Sequence, residues 1–195
     1  MKNNKPLRPI WQEDDPNTVK IVDQRFLPHR FSVIDLKSVD DVIAAIKEMC
    51  VRGAPLIGVT AAYGIYLAAL GLAKNPAGDD FLISECGRLK AVRPTAVNLA
   101  WAAERVLKKV LSASGIQNKI EAARNEAGKI AEEEVDNCRN IGTYGLEIIE
   151  VISRRKAGKT VNVLTHCNAG WLACIEYGTA TAPIYAAFEK GLDIH

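Results

Sequence analysis

Short apolar runs separated by turn residues characterise the first forty positions of the chain. The runs occupy 9–11, 19–23 and 31–35, and proline-containing clusters at 14–17 and 27–29 lie between them. Alternation of period two between turn clusters is typical of β-strands joined by short loops. The pattern therefore predicts a small antiparallel β-meander.

After residue 37 the apolar spacing becomes that of an amphipathic helix. Ser38 and Asp40 are both candidate N-caps of this helix. Its apolar face comprises Val42, Ile43, Ile46 and Met49. Two more helices are predicted, one from about 79 to 91 and one from the Arg93-Pro94-Thr95 break to about residue 114.

The stretch from 53 to 73 contains no charged residue and is long enough to cross a membrane. Pro55 lies near its beginning, and three glycines follow, at 58, 64 and 71. The stretch has only seven Leu, Ile or Val residues, which makes membrane insertion unfavourable. An all-apolar helix of this kind fits the core of a soluble protein. We therefore expect a buried helix and no membrane association.

From 117 to 156 the chain is rich in helix-forming residues, but Gly142 and Gly145 interrupt the pattern. We expect two helices that meet near 139–142. A β-branched run at 159–165, a polar turn at 166–170 and a helix from about 179 to 190 follow. Strand, turn and helix form the opening unit of a parallel α/β domain. The predicted division is a meander and helical domain at 1–156 and an incomplete domain at 157–195, α/β overall.

Composition places the chain among ordinary globular proteins, since 48% of its 195 residues are hydrophobic and 25% are charged. Its net charge of +2 comes from interspersed charges, which argues against a nucleic-acid partner. Five cysteines without a CxxC pair indicate reduced thiols and a cytoplasmic location. Lys2, Lys5 and Arg8 precede no apolar stretch, so a secretory signal is not expected.

Candidate chemistry lies in three segments that each place polar residues and Gly or Pro ahead of a predicted helix. They are 52–55 (RGAP), 93–96 (RPTA) and 166–170 (HCNAG). Helix-start amides attract anions, and arginine matches phosphate geometry. The pattern indicates a phosphorylated small molecule held by Arg52 and Arg93. Pairing of these arginines with carboxylates of neighbouring helices is the alternative.

Cys167 is the candidate for catalytic chemistry, because it follows a predicted strand and begins a turn where a thiolate is favoured. The alternative is a small apolar side chain packed in a turn. His166 is a doubtful partner, since neighbours on a strand point to opposite faces. The histidines are scattered, so no metal site is expected.

Four motifs together resemble the methylthioribose-1-phosphate isomerase family. They are DQRFLP at 23–28, VRGAPLIG at 51–58, RPTAVNL at 93–99 and THCNAG at 165–170. This family is grouped with ribose-1,5-bisphosphate isomerase and the regulatory subunits of translation initiation factor 2B. The resemblance extends over nearly the whole chain and implies a Rossmann-like C-terminal domain and a dimer.

The resemblance implies an aldose–ketose isomerase of methionine salvage that acts on a phosphorylated pentose without cofactor or metal. Arg52, Gly53, Ala54 and Arg93 match the family's substrate- and phosphate-binding positions, and Cys167 matches its active-site cysteine. His166 and Asn168 flank that cysteine as candidate supporting residues.

The family's catalytic aspartate belongs to a part of the C-terminal domain beyond residue 195. The chain is therefore expected to be the N-terminal part of such an enzyme, either a homodimer or the partner of a complementary C-terminal fragment. A non-catalytic regulatory subunit related to initiation factor 2B is the alternative. Trp171 is bulkier than expected after the Asn-Ala-Gly turn.

Overall fold

The computed structural model describes residues 7–13, 15–75 and 77–195. The basic residues Lys2 and Lys5 of the sequence analysis lie outside these residues. Asp14 of the first turn cluster lies outside them as well.

The predicted meander is confirmed as a three-stranded antiparallel sheet. Its strands are β1 (Ile10–Gln12), β2 (Val19–Val22) and β3 (Val33–Leu36), in the order β1-β2-β3. Ile10 lies opposite Ile21, and Ile21 lies opposite Ile34. This register places the apolar side chains of one face against the helices.

Six α-helices complete the fold of the described residues. They are α1 (Val39–Lys47), α2 (Ala54–Leu70), α3 (Asp79–Val92), α4 (Val97–Leu111), α5 (Ile116–Arg155) and α6 (Ala182–Glu189). Ser38, rather than Asp40, caps α1 by accepting a hydrogen bond from the Asp41 amide. Val42 and Ile46 are buried as predicted, but Met49 lies beyond the helix end with a positive φ and is exposed.

Helix α2 forms the centre of the molecule and packs against α1, α3, α4 and α5. The segment Ala54–Lys74 is long and apolar enough to cross a membrane, but 83% of its most apolar window is buried inside the fold. The segment is thus a core helix, which confirms the interpretation of the apolar stretch.

The prediction of two helices within 117–156 is wrong, because α5 runs without a break for 40 residues. Gly142 and Gly145 serve close packing against α6 instead of ending the helix. A Cβ at Gly145 would lie 2.3 Å from Cγ of Pro183, and one at Gly142 would lie 3.3 Å from the carbonyl oxygen of Ala182.

The predicted strand at 159–165 is largely absent from the structure. Val161 forms a parallel bridge with Ile194, and Val163 donates a further hydrogen bond to His195. Strand pairing extends only as far as there is a neighbouring segment to accept the hydrogen bonds. The described residues therefore form a mostly helical fold with a small antiparallel sheet and one parallel bridge.

Candidate active site

The first anion-binding motif lies at the start of α2, as predicted. Gly53 caps the helix with a φ of 104°, a conformation that favours glycine, and Pro55 occupies the first turn. The first backbone bond of the helix runs from the Ile57 amide to the Gly53 carbonyl. The preceding amide of Ala54 is therefore oriented to receive an anion.

The second motif precedes α4, although its geometry differs from the prediction. Pro94 lies in a turn closed by the Ala96 amide and the Arg93 carbonyl, and the helix begins only at Val97. Pro94 is therefore not a first-turn residue. Gly58 of α2 allows α4 to approach closely, since a Cβ there would lie 3.0 Å from the Asn98 carbonyl oxygen.

The third motif does not begin an α-helix, contrary to the prediction. Cys167 has a φ of 75°, and a short 3₁₀ helix follows at Trp171–Ala173. Helix α6 starts only at Ala182. A thiolate at this position therefore gains nothing from an α-helix dipole.

Tertiary packing nevertheless brings the first and third motifs together. A Cβ on Gly53 would lie 2.4 Å from the Cβ of Ala173. The loop before α2 thus contacts the segment that follows Cys167. Since Gly58 contacts the first turn of α4, the starts of α2 and α4 and the segment that follows Cys167 lie close to one another.

Arg52 and Arg93 are both exposed. Within 7–13, 15–75 and 77–195, neither forms an ion pair with a carboxylate. The alternative in which they pair with neighbouring helices is therefore not observed. Both guanidinium groups can bind an external anion.

Cys167 is exposed, whereas Cys50, Cys86, Cys138 and Cys174 are buried. A left-handed backbone is uncommon for a cysteine and marks positions that surrounding structure holds in place. His166 and Asn168 beside it are also exposed. Among the described residues no three acidic, cysteine or histidine side chains are grouped to hold a metal ion.

Cys138 and Cys174 form a buried cluster with Ala173 beneath this loop. The Cys174 thiol donates a hydrogen bond to the Cys138 sulfur, and this bond and burial raise the pKa of Cys174. Of the buried and exposed thiols, Cys167 is therefore the one that solvent reagents can reach.

The DQRFLP motif at 23–28 contributes two buried polar residues next to the candidate site, Asp23 and Gln24. Arg25 donates two side-chain hydrogen bonds to the Asp23 carboxylate and thereby lowers the pKa of Asp23. Gln24 donates hydrogen bonds to the carbonyl groups of Cys50 and Leu172, which precede Arg52 and follow Cys167. The sequence analysis did not identify this role. A glutamine in a polar turn carries no signal that distinguishes a buried bridge from a surface residue.

Arg52, Arg93 and Cys167 are all exposed at the surface. Cavities of about 700, 340 and 400 Å³ occur elsewhere on the described residues, and none is lined by Arg52, Arg93 or Cys167. The largest of these three cavities is lined by Arg8, Trp11, Tyr63 and Glu132, among others. The candidate residues thus form an exposed surface that can serve as one wall of a site.

Comparison with known proteins connects this geometry to a family. The initiation factor 2 subunit family matches residues 50–195. Methylthioribose-1-phosphate isomerase from Desulfosudis oleivorans is 58% identical over 190 residues, which is 97% of this chain and 52% of that protein. The enzyme of the same name from Desulfatibacillum aliphaticivorans is 54% identical, over 99% of this chain and 53% of its own length.

Two solved structures share the fold. 5-Methylthioribose 1-phosphate isomerase from Pyrococcus horikoshii OT3 matches with a TM-score of 0.78 and 34% identity, over 96% of this chain and 51% of its own. The delta subunit of translation initiation factor eIF-2B from A. fulgidus matches with a TM-score of 0.76 and 36% identity, over 97% and 53%.

The chain spans about half the length of the curated relatives that it matches. The matched family covers three of the four motifs, including both arginines and Cys167. The chain therefore belongs to the initiation factor 2 subunit family, and the curated relatives that it resembles at 45–58% identity are methylthioribose-1-phosphate isomerases.

Proposed function

We propose that this chain supplies the phosphate-binding loops and the active-site cysteine of an aldose–ketose isomerase. The substrate is 5-methylthioribose 1-phosphate and the product is 5-methylthioribulose 1-phosphate, a step of methionine salvage. The observation that carries the proposal is the contact between Gly53 and Ala173. It joins the anion loop, residues 52–55, to the segment that follows Cys167.

In this proposal Arg52 and Arg93 bind the phosphate on C1, together with the backbone at Gly53 and Ala54. Exposed guanidinium groups without a carboxylate partner suit that role. The phosphate prevents spontaneous opening of the sugar ring, so an acid must protonate the ring oxygen as the C1–O bond breaks. Hydrogen then moves from C2 to C1, and Cys167 assists this transfer. His166 and Asn168 flank the thiol, and the reaction requires neither cofactor nor metal.

The acid is assigned to the half of the relatives that this chain does not match. Asp23 is a poor candidate, since Arg25 keeps its carboxylate ionised by lowering its pKa. Asp193 accepts a hydrogen bond from Thr160 and is part of the parallel pairing near residue 161. A carboxylic acid opposite Arg52 and Arg93 would also supply the second wall of the open site.

The same unmatched half of the relatives is proposed to complete a Rossmann-like domain that begins near residue 157. The end of α5 at Arg155 supports a boundary between domains at 1–156 and 157–195. The parallel bridge between Val161 and Ile194 supports the beginning of a parallel sheet, with α6 as its crossover helix.

An apolar stripe on α5 marks the surface that this half covers. Its members share one helical face and are each 38–69% exposed; they are Ile141, Tyr144, Ile148, Val151 and Ile152. Soluble proteins rarely leave such a contiguous surface uncovered. We assign the stripe to the remaining half of the enzyme. A cytoplasmic location accords with five thiols that are all free.

A chimera tests the proposed function. Residues 1–195 joined to the C-terminal remainder of the Desulfosudis oleivorans relative should isomerise 5-methylthioribose 1-phosphate in a coupled assay. Cys167→Ala in the chimera should lower kcat by about 100-fold or more. The matched control is Cys86→Ala, a buried cysteine on α3, which should retain turnover. A chimera that folds and binds the substrate without turnover would overturn the proposal.

A regulatory subunit is the second candidate, and the structural match to the eIF-2B delta subunit favours it. Such a protein would bind a sugar phosphate or a protein without turning it over. Substrate binding without isomerisation by the chimera would favour this function.

A further inference from the structure

Gln24 is the one residue of the DQRFLP turn that bonds to both loops of the candidate site. Its backbone amide donates to the Cys50 carbonyl at 2.9 Å, at the base of the loop that carries Arg52. Its side-chain Nε2 donates to the Leu172 carbonyl at 2.7 Å, five residues after Cys167. Gln24 thus links two segments that are more than 100 residues apart in the chain.

These two bonds are shielded from water, since Gln24 is only 3% exposed. A buried hydrogen bond to a carbonyl group is costly to leave unmade. The turn itself is rigid, because Asp23 caps it by accepting bonds from the backbone and side chain of Arg25. Movement of the Leu172 segment away from the Arg52 loop therefore requires loss of the Nε2 bond.

We propose that Gln24 is a positioning residue that sets the separation between the anion loop at Arg52 and the thiol of Cys167. It contacts neither substrate nor reacting atoms and acts through Cys50 and Leu172. The inference rests on the proposed function, because it assigns Arg52 to the phosphate and Cys167 to the reaction. It adds a residue whose side-chain amide couples the two.

The coupling has a direct observable in the chain itself. Sulfate bound at Arg52 and Arg93 shields Cys167 from a thiol reagent only if the two loops are held together. The protection factor is the ratio of the labelling rates of Cys167 without and with sulfate. Sulfate remains a dianion between about pH 5.5 and pH 8, and 4,4′-dithiodipyridine labels thiols across that range, so protection can be measured throughout.

Two substitutions separate positioning from a general effect on folding. Gln24→Met keeps the length of the side chain but removes the donor. Gln24→Glu removes the donor only while the introduced carboxyl is ionised, and burial raises the pKa of such a group. At low pH the neutral carboxyl can donate its O–H to Leu172 and restore the bond.

The groups around the introduced carboxyl do not interfere between about pH 5.5 and pH 8. Asp23 stays ionised because Arg25 lowers its pKa, and Cys50 stays neutral because burial raises its pKa. Arg25 stays charged, because its hydrogen bonds to Asp23 raise its pKa, and Glu48 pairs with it. His166 beside Cys167 is present in the parent chain and in the variants alike, so the protection factor of the parent is the reference at each pH.

The expected result is a protection factor of fivefold or more in the parent, the range of ordinary coupling between sites. Gln24→Met should reduce the protection factor to within about twofold of unity at both about pH 5.5 and about pH 8. Its sulfate affinity, measured by calorimetry, should stay within about threefold of the parent. Gln24→Glu should match Gln24→Met at about pH 8 and recover the parent value at about pH 5.5.

Gln12→Glu provides the matched control. Gln12 also donates through Nε2, to the Tyr66 hydroxyl and the Pro16 carbonyl, but lies on β1 away from both loops. It should leave protection unchanged at either pH. Thermal unfolding of each variant shows whether lost protection merely follows lost stability.

The outcomes distinguish this inference from the proposed function. Parent-like protection in both folded Gln24 variants overturns the positioning role alone. Protection that stays lost in Gln24→Glu at about pH 5.5 also overturns it, because restoring the donor to Leu172 would then not restore the coupling. Absence of sulfate protection in the parent overturns the proposed function, and the inference with it.

Discussion

At the residue scale, Arg93 is an exposed cation without a carboxylate partner in the described part of the chain. Arg93→Ala should weaken sulfate binding by about 1.5–3 kcal/mol, the range for a hydrogen bond to a charged group. Calorimetry at low salt measures the affinity. Arg154→Ala, at the far end of α5, is the control and should bind like the parent. Equal affinities in Arg93→Ala and the parent would place the anion elsewhere.

Cys167 should be the first thiol to be alkylated by iodoacetamide, since it alone among the five cysteines is exposed. Cys174 should be among the slowest, because the hydrogen bond to Cys138 and burial raise its pKa and thiolate is the reactive form. Peptide mapping after limited labelling gives the order. Earlier reaction of Cys86 or Cys138 would contradict the placement of the site.

Asp23 predicts a pH dependence of stability. Its folded-state pKa is lowered by Arg25, so its contribution is present above the unfolded pKa and is lost as pH falls through the folded value. Asp23→Asn should therefore lower the free energy of unfolding by about 1.5–3 kcal/mol at neutral pH. The difference should be smaller at about pH 2, because the pH has then fallen below the usual range for aspartate toward the lowered pKa of Asp23.

Urea denaturation of both proteins at the two pH values tests this prediction. Asp35→Asn is the control, because Asp35 is exposed and solvent screens its pair with Lys20, so this substitution should have the smaller effect. A constant difference between Asp23→Asn and the parent across the pH range would assign the effect to packing.

At the scale of elements, the crossing of α5 and α6 depends on a glycine. Gly145→Ala should destabilise the protein by about 1–3 kcal/mol, because the new methyl group would meet the rigid ring of Pro183. Gly128→Ala on the same helix meets nothing within 4 Å and should stabilise by about 0.5–1 kcal/mol. Opposite signs in thermal unfolding support the packing role. The same sign for both would show that helix propensity decides.

At the scale of the whole molecule, the apolar stripe on α5 predicts an association. The isolated C-terminal remainder of the Desulfosudis oleivorans relative should bind this chain. Ile148→Asp should weaken binding by about tenfold or more, because it buries an unpaired carboxylate. Ile83→Asp on α3 is a matched control at a similarly exposed isoleucine outside the stripe. Analytical ultracentrifugation measures both; unchanged binding by Ile148→Asp would place the interface elsewhere.

Local chemistry made much of the architecture predictable from the sequence. The β-meander, the Ser38 cap, the buried α2 helix and the extents of α3 and α4 all follow from short-range periodicity and turn residues. The motif residues Arg52, Arg93 and Cys167 could be selected on the same basis. Their roles as phosphate-binding and catalytic groups stay predictions, since they concern a ligand.

The predictions were wrong where one local sequence pattern is compatible with two structures. Gly142 and Gly145 weaken a helix in isolation, but in the fold they admit α6, and the packing gained outweighs their low propensity. The β-branched run at 159–165 has the composition of a strand, but only the pairing near Val161 provides hydrogen-bond partners for it.

The sequence by itself determined the β-meander, the helices α1 to α4, most of the apolar face of α1, and which polar residues precede α2 and α4. These properties depend on neighbours within a few positions. Only the tertiary structure decided that Gly53 contacts Ala173 and that Gln24 bridges Cys50 to Leu172. Such contacts join residues more than 100 positions apart, and they form because burial of the whole core, rather than any local preference, brings those segments together.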